Sequence, residues 1–232
     1  MPNYPQSLLF TAGWPQAWLK EITGLEEQAV AGTRVTDAIA LIDRLLVPGP
    51  GPAVSARQLT SADRDRLLAS IYQHTYDDRI KGTLECNACA APFDMDFSLS
   101  EFVGHTYTAE GDAVASPLPD GSYALADGLH MRLPTGEDEL AVLGMDADRA
   151  TQTLLQRCLV AGDLAAAVGL AQDAFEHIAP MLQTEMEAQC SECGHGMTVL
   201  FDVQTYLLQA LLQDQERLSY EVHRLATAYG WS

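Results

Sequence analysis

Basic residues are scarce in this chain: 13 Lys and Arg stand against 32 Asp and Glu in 232 residues, a formal net charge of −19. Binding to nucleic acid or to an anionic membrane surface needs clustered Lys and Arg, so neither is expected. Long apolar runs are also lacking. No stretch of 18 or more apolar residues occurs, so no membrane-spanning helix is expected. The opening Met-Pro-Asn-Tyr-Pro-Gln has neither the basic region nor the apolar stretch of a signal peptide, which points to a cytoplasmic protein. Catalytic signatures are missing as well: there is no phosphate loop, dinucleotide fingerprint or H-E-x-x-H. Serine, histidine and carboxylates occur outside any nucleophile-elbow context, and nothing in the chain argues for an enzyme.

What is present is enough for a core. The chain is 47% hydrophobic and 19% charged, which describes a globular protein, and its length suits one elaborated domain or two small ones. The charge is unevenly placed. Residues 82–216 carry 22 acidic side chains and only Arg132, Arg149 and Arg157 as bases, so the whole excess lies there; the rest of the chain is neutral. Such a bias serves solubility, and it also offers a face to a basic protein surface.

Five cysteines occur, and four of them form two C-x-x-C units, Cys86/Cys89 and Cys190/Cys193. In a cytosolic chain this spacing favours a metal over a disulfide. Two intervening residues make a tight knuckle that turns both sulfurs toward one ion, and two knuckles complete a tetrahedral thiolate shell. A closed shell leaves no position for water, so the expected cofactor is one structural Zn(II) per chain. Iron would use the same ligands. A redox C-x-x-C would need a helix starting at the first Cys, whereas apolar alternation comes after each knuckle here. His195 lies beside Cys193 and reads as a surface residue of the turn. Cys158 shares a helical apolar pattern with Leu154, Leu155 and Leu159 and reads as a buried small hydrophobe.

The segments downstream of the two knuckles are also alike. Phe97 and Phe201 lie eight residues after their second cysteines, Leu99 and Val203 ten, and Phe102 and Tyr206 thirteen, which suggests a strand-then-turn duplication. Leu182, Thr184, Met186 and Ala188 alternate with polar residues ahead of the second knuckle, as in a half-exposed strand. Two such hairpins across a metal make a zinc ribbon, here split by about a hundred residues.

The remaining pattern is mostly helical. Residues 1–19 read as an extended aromatic arm, and 20–80 as a helical region in which Thr60 caps a helix that presents Leu67, Leu68, Ile71 and Tyr72 on one face. The first half of the zinc ribbon spans 81–105. An insertion (106–181) comes next, with a short strand at 129–133 and helices at 146–161 and 163–178, and Glu137-Asp138-Glu139 reads as a solvated helix start. The second ribbon half spans 182–203. C-terminal helices (204–232) close the chain, one over 204–213 and a last one with Leu218, Val222, Leu225 and Tyr229 along one face. The fold class is α+β: a split zinc ribbon surrounded by helices, with a mixed insertion between the knuckles.

Several segments together resemble a known family. They are Thr23-Gly24-Leu25-Glu26-Glu27, Leu59-Thr60-Ser61-Ala62-Asp63-Arg64-Asp65-Arg66-Leu67-Leu68, Asp78-Arg79-Ile80, Met131-Arg132-Leu133-Pro134-Thr135-Gly136-Glu137-Asp138 and Phe201-Asp202-Val203. The most specific is the closing Glu221-Val222-His223-Arg224-Leu225-Ala226-x-x-Tyr229-Gly230-Trp231-Ser232. In this order they resemble the baseplate hub assembly proteins of T-even-like contractile phage tails and of phage-tail-like contractile injection systems. The proline that often follows the first knuckle cysteine in that family is absent; Asn87 and Ser191 stand there, which affects turn stiffness and not ligation. The resemblance implies a non-enzymatic structural or assembly role, with baseplate hub, spike or wedge proteins as partners. It implies a docking surface on the last helix, formed by Leu218, Val222, His223, Leu225, Tyr229 and Trp231; packing of the same stripe on the protein's own core is the alternative. A zinc-ribbon adaptor of another cytosolic complex is the alternative reading of the same cysteines.

Overall fold

The computed structural model describes residues 3–106, 115–164 and 168–231. The aromatic N-terminal segment is not a simple extended arm. Strands β1 (Asn3–Ser7) and β2 (Gln16–Lys20) pair antiparallel as a hairpin packed on the body. Leu8, Ala17 and Leu19 are buried, and the Tyr4 ring stacks on His74 with centroids 3.8 Å apart. Helices α1 (Gly24–Glu27) and α2 (Val35–Leu45) come next, the latter burying Ala38, Ile39, Leu41, Ile42 and Leu45 on one face.

Helix α3 (Ser61–Thr75) is the centre of the molecule, and it departs from the amphipathic expectation. Every residue from Ser61 to Tyr72 is buried, charged ones included. The Thr60 hydroxyl caps it by accepting from Asp63 N at 3.3 Å. The Asp63 carboxylate does not close a capping box. It accepts the amides of Leu9, Phe10 and Thr11 at 2.7–2.9 Å and so holds the loop of the N-terminal hairpin. Arg64 pairs with Glu139, and Asp65 accepts Leu182 N at 3.0 Å. Burial of these three charges is tolerated because each has a partner.

Strands β3 (Arg79–Glu85) and β4 (Pro92–Ser98) form the first knuckle hairpin, which passes without a loop into α4 (Leu99–Thr106). The insertion contributes β5 (Ser116–Pro117), β6 (Tyr123–Ala124), β7 (His130–Met131), α5 (Gly136–Ala141), α6 (Ala147–Cys158), β8 (Leu159–Ala161) and α7 (Val168–Ile178). Its four short strands make one antiparallel sheet in the order β5-β6-β7-β8. The expected helix over 146–161 ends earlier than its pattern, at Cys158, because the next residues pair with β7. The first part of the helix expected over 163–178 falls partly outside the described residues. Leu125, Leu129, Met131, Leu155, Cys158, Leu164, Ala171 and Ala174 form a core separate from the main one.

The second knuckle hairpin pairs β9 (Gln183–Gln189) with β10 (Gly196–Asp202) and runs directly into α8 (Val203–Tyr229). The two C-terminal helices expected from the sequence are thus one continuous helix. No Gly or Pro interrupts 203–229, and the helix ends at Gly230, whose φ of 65° is the left-handed cap that favours glycine. Its first half buries Val203, Leu207, Leu208 and Leu211 against α3, α2 and α1.

Glu137-Asp138-Glu139 is another departure. The run does start a helix and Glu137 is exposed, but its middle residue is not solvated. Asp138 is buried and receives Arg132 at 2.6 and 2.9 Å, Arg157 Nε at 2.9 Å and the Thr135 amide and hydroxyl. Burial raises its carboxyl, but the Arg132 and Thr135 hydrogen bonds outweigh this and hold it well below the usual range.

These charges set the pH response. Burial, opposed by the Arg64 charge and the Leu182 amide, pushes Asp65 up to about 7. The folded chain therefore holds this proton more tightly than the unfolded one, whose aspartates titrate near ~3.9, and stability falls as pH rises from about 4 to 7. Hydrogen bonds from Lys20 and Thr23 lower Glu26 to about 2, so its contribution is present above about pH 4 and is lost in acid below that. Asp65→Asn keeps an acceptor for Leu182 N–H and is expected to flatten the slope between pH 4 and 7 in thermal melts. A slope unchanged from the parent would refute the assignment.

Candidate metal centre

The two knuckles are the same structure twice, at a constant offset of 104 residues from Cys86 to Cys190. In the first, Cys86 N donates to Ala91 O at 3.0 Å and Ala90 N to Cys86 O at 2.8 Å. In the second, Cys190 N donates to His195 O at 3.0 Å and Gly194 N to Cys190 O at 2.9 Å. The likeness extends to the base of each hairpin. Leu99 N donates to Asp78 O at 2.8 Å, and Val203 N to Leu182 O at 3.1 Å. The duplicated unit is strand-knuckle-strand-helix, so the turn expected after each second strand is a helix start. The matched aromatics pack on one another: Phe97 and Phe201 meet edge to face at 5.1 Å, and Phe102 and Phe201 at 5.3 Å. Tyr206 then bonds the backbone of β3, accepting from Lys81 N and donating to Lys81 O.

This packing brings the four thiols together. Cys86 Sγ lies 3.7 Å from Cys193 Sγ, and Cys89 Sγ lies 3.8 Å from Cys190 Sγ; all four sulfurs fall within 4.8 Å of one another. A disulfide would need about 2.05 Å, so no pair is bonded. A tetrahedron with metal–sulfur distances of ~2.3 Å has edges of about 3.8 Å, which the two cross-knuckle pairs match. The donor set and its size therefore fit a metal ion held by four thiolates, in a zinc-ribbon-like arrangement. Cys86 and Cys190 are buried against Phe93, Leu84, Ala188 and Met197, whereas Cys89 and Cys193 face outward. His195 contributes a backbone carbonyl to the turn.

The thiols are unequal. Amides of Ala88 and Cys89 lower Cys86 to about 6. The Ala91 amide lowers Cys89 too, but the neighbouring thiols and burial outweigh it and push that thiol up to about 12. Metal binding must displace the protons that the clustered thiols hold. A dithiol redox site needs a helix starting at its first cysteine. Here both knuckles sit in hairpin turns, and the helices begin later, at Leu99 and Val203. Cys158 lies elsewhere, in the insertion core, where burial pushes its thiol up to about 12.

The other residues singled out from the sequence are not brought to this centre. Leu218, Val222, His223, Leu225, Tyr229 and Trp231 all lie on the exposed second half of α8 or just beyond it. Sequence reasoning missed the partners of Asp63, Arg64 and Asp65 on α3, and the Arg132–Asp138–Arg157 cluster. One signal was available for the last: Thr135 and Asp138 have capping-box spacing, and the box forms. Also unforeseen is a cleft of about 850 Å³ between α4, α7 and the start of β9, lined by Phe102, His105, Leu133, Phe175, Met181 and Glu185 among others. Comparison with protein-family models, with curated proteins and with solved structures returns no match to the chain. Among the described residues no helix is long and apolar enough to cross a membrane.

The metal centre predicts two outcomes. Purified protein should carry one metal ion per chain, with four thiols that alkylate only after chelation. Cys190→Ser should release the ion and lower the melting temperature; an unchanged melt would refute a structural role. Ala90 has a φ of 57° where its counterpart Gly194 has 70°, and among the described residues it is the one non-glycine with positive φ. Ala90→Gly removes that strain and should stabilise the metal-bound protein by about 0.5–1 kcal/mol in denaturant titration. Destabilisation would show that the knuckle is not strained there.

Proposed function

We propose that the chain is a non-enzymatic structural or assembly protein of the baseplate hub of a contractile injection system, with one structural zinc ion in its four-cysteine centre. The observation that carries this reading is where the most specific segment of resemblance lies. Glu221–Trp231 occupies the free-standing half of α8, and its Val222, Leu225, Tyr229 and Trp231 side chains are 46–71% exposed. A large exposed apolar stripe on a well-formed helix is what helix-in-groove docking uses. Zinc is the reading for a closed four-thiolate shell in a structural centre with no redox role, although iron would use the same ligands.

The remaining features agree with an assembly role. The acidic middle of the chain would face solvent or a basic protein surface. Baseplate hub, spike or wedge proteins are the partners this reading names.

Co-expression with the hub, spike and wedge proteins of one such system tests it, with purification through a tag on this chain. Stoichiometric recovery of a hub component is expected. Recovery of none of them, from cells in which all are folded, would overturn the reading.

A further inference from the structure

The second half of α8 stands clear of the body. From Glu216 to Trp231 every side chain is exposed except Ala226, which is half-buried. Gln215 marks where the body ends, its side-chain amide donating to the carbonyls of Glu27 and Val30. On this free half Leu218, Val222, Leu225 and Tyr229 succeed one another at steps of four, three and four residues. Steps of seven lead back from Leu225 through Leu218 to Leu211, and from Val222 through Gln215 to Leu208. Leu208 and Leu211 are fully buried. The exposed stripe is therefore the prolongation of the helix face that packs on the body.

We propose that this stripe is an interface between two copies of the chain, which pair antiparallel along Glu216–Trp231. The spacing of four, three and four reads the same from either end, as a two-fold interface requires. An antiparallel register centred between Val222 and Leu225 sets Leu218 against Tyr229 of the second copy, and Val222 against its Leu225. That register brings Trp231 of the second copy level with Glu216, so the overlap stops where the body begins. At that edge Gln215 grips α1 and the turn after it, and Leu25 on α1 is 76% exposed.

The orientation results from the continuity of the face. A parallel partner on the same face would have to pass its residues 203–215 through the space of α3 and α2. An antiparallel partner places the two bodies at opposite ends and opposes the helix dipoles favourably. The flanks permit close approach: Ser219, Ala226 and Ala228 are small, and Glu221 lies across from Ala226 rather than from another acid. Pairing covers Leu218, Val222, Leu225, Tyr229 and Trp231 of each copy, which are 45–71% exposed in the free chain. The contact is a single helix stripe, so the dimer is a reversible one. It does not rest on the baseplate reading, since it involves the purified chain alone.

Sedimentation velocity and light scattering of the metal-loaded chain from roughly 1 to 200 µM test the pairing across the range of weak reversible association. A concentration-dependent shift from monomer to dimer is expected. Leu218→Glu and Leu225→Glu should each weaken it at least tenfold while leaving melting temperature and metal content unchanged, because both residues lie outside the core. Orientation is read by mixing Val222→Cys chains with Leu225→Cys chains under mild oxidation. Cross-links between unlike chains support the antiparallel register; cross-links of Val222→Cys chains to themselves overturn it. A monomer at every concentration overturns the proposal. So does a dimer that survives the two glutamate variants but is lost in Phe175→Glu, which would assign the contact to the cleft instead.

Discussion

Four thiols from two turns a hundred residues apart come together where one ion could hold the chain closed on itself. Closing a loop of that length costs roughly 4 kcal/mol plus a constant. A structural zinc ion supplies about 10–16 kcal/mol in small peptides, enough to offset that cost. A metal there would not act alone, because the two hairpins also meet through Phe97, Phe102, Phe201 and Tyr206 below the knuckles. The aromatic cluster aligns the hairpins, and an ion held by the four thiols would fix their tips. Each hairpin launches a helix directly, α4 from the first and α8 from the second, so the metal centre also sets the direction of the long C-terminal helix.

Beneath the ribbon, α3 distributes the remaining long-range contacts. Its consecutive residues Asp63, Arg64 and Asp65 point in directions about 100° apart, as successive helical positions must. Each therefore reaches a different part of the chain: the N-terminal hairpin loop, α5 of the insertion, and the base of the second ribbon hairpin. Buried charges are a weak source of net stability, but an unpaired one is costly. A mispacked insertion or hairpin would leave one of these groups alone in the interior. The triplet thus discriminates against wrong arrangements more than it strengthens the right one. Asp65 is the least comfortable of the three, since among the described residues the Leu182 amide is its one hydrogen-bond donor.

The charge asymmetry and the free helix divide the labour of the surface. The acidic excess sits between the knuckles and on the adjoining strands, where Glu185, Glu187, Asp94 and Asp96 line exposed faces. The free half of α8 carries almost no net charge, with Arg217 and Arg224 against Glu216 and Glu221. Repulsion between two bodies of net charge −19 is smallest when they are far apart, and pairing at the end of a projecting helix keeps them so. The same projection lets a partner of another kind reach the stripe without meeting the acidic surface.

How far the sequence reached can be argued from particular residues. Cys86, Cys89, Cys190 and Cys193 were legible as one site because their spacing encodes a local turn, and because the matched offsets of Phe97/Phe201 and Leu99/Val203 tied the two turns together. The strands around them were legible from alternation, and α2 from its apolar face. The N-terminal hairpin was not legible. Its register depends on Asp63, more than 50 residues away, accepting the amides of its loop. The burial of Asp63, Arg64 and Asp65 was equally hidden, since a run of charges reads as a solvated face until its partners are known. The single C-terminal helix was obscured by the polar stretch Gln213–Glu216, which marks where the helix leaves the body and not where it ends. By itself, then, the sequence determined what is local: the knuckles, the helix and strand periods, the caps and the sign of the charge. Only the tertiary structure decided which buried charge meets which partner, and how much of α8 remains free. Those are pairings between distant segments, and their energies exist only after the segments have met.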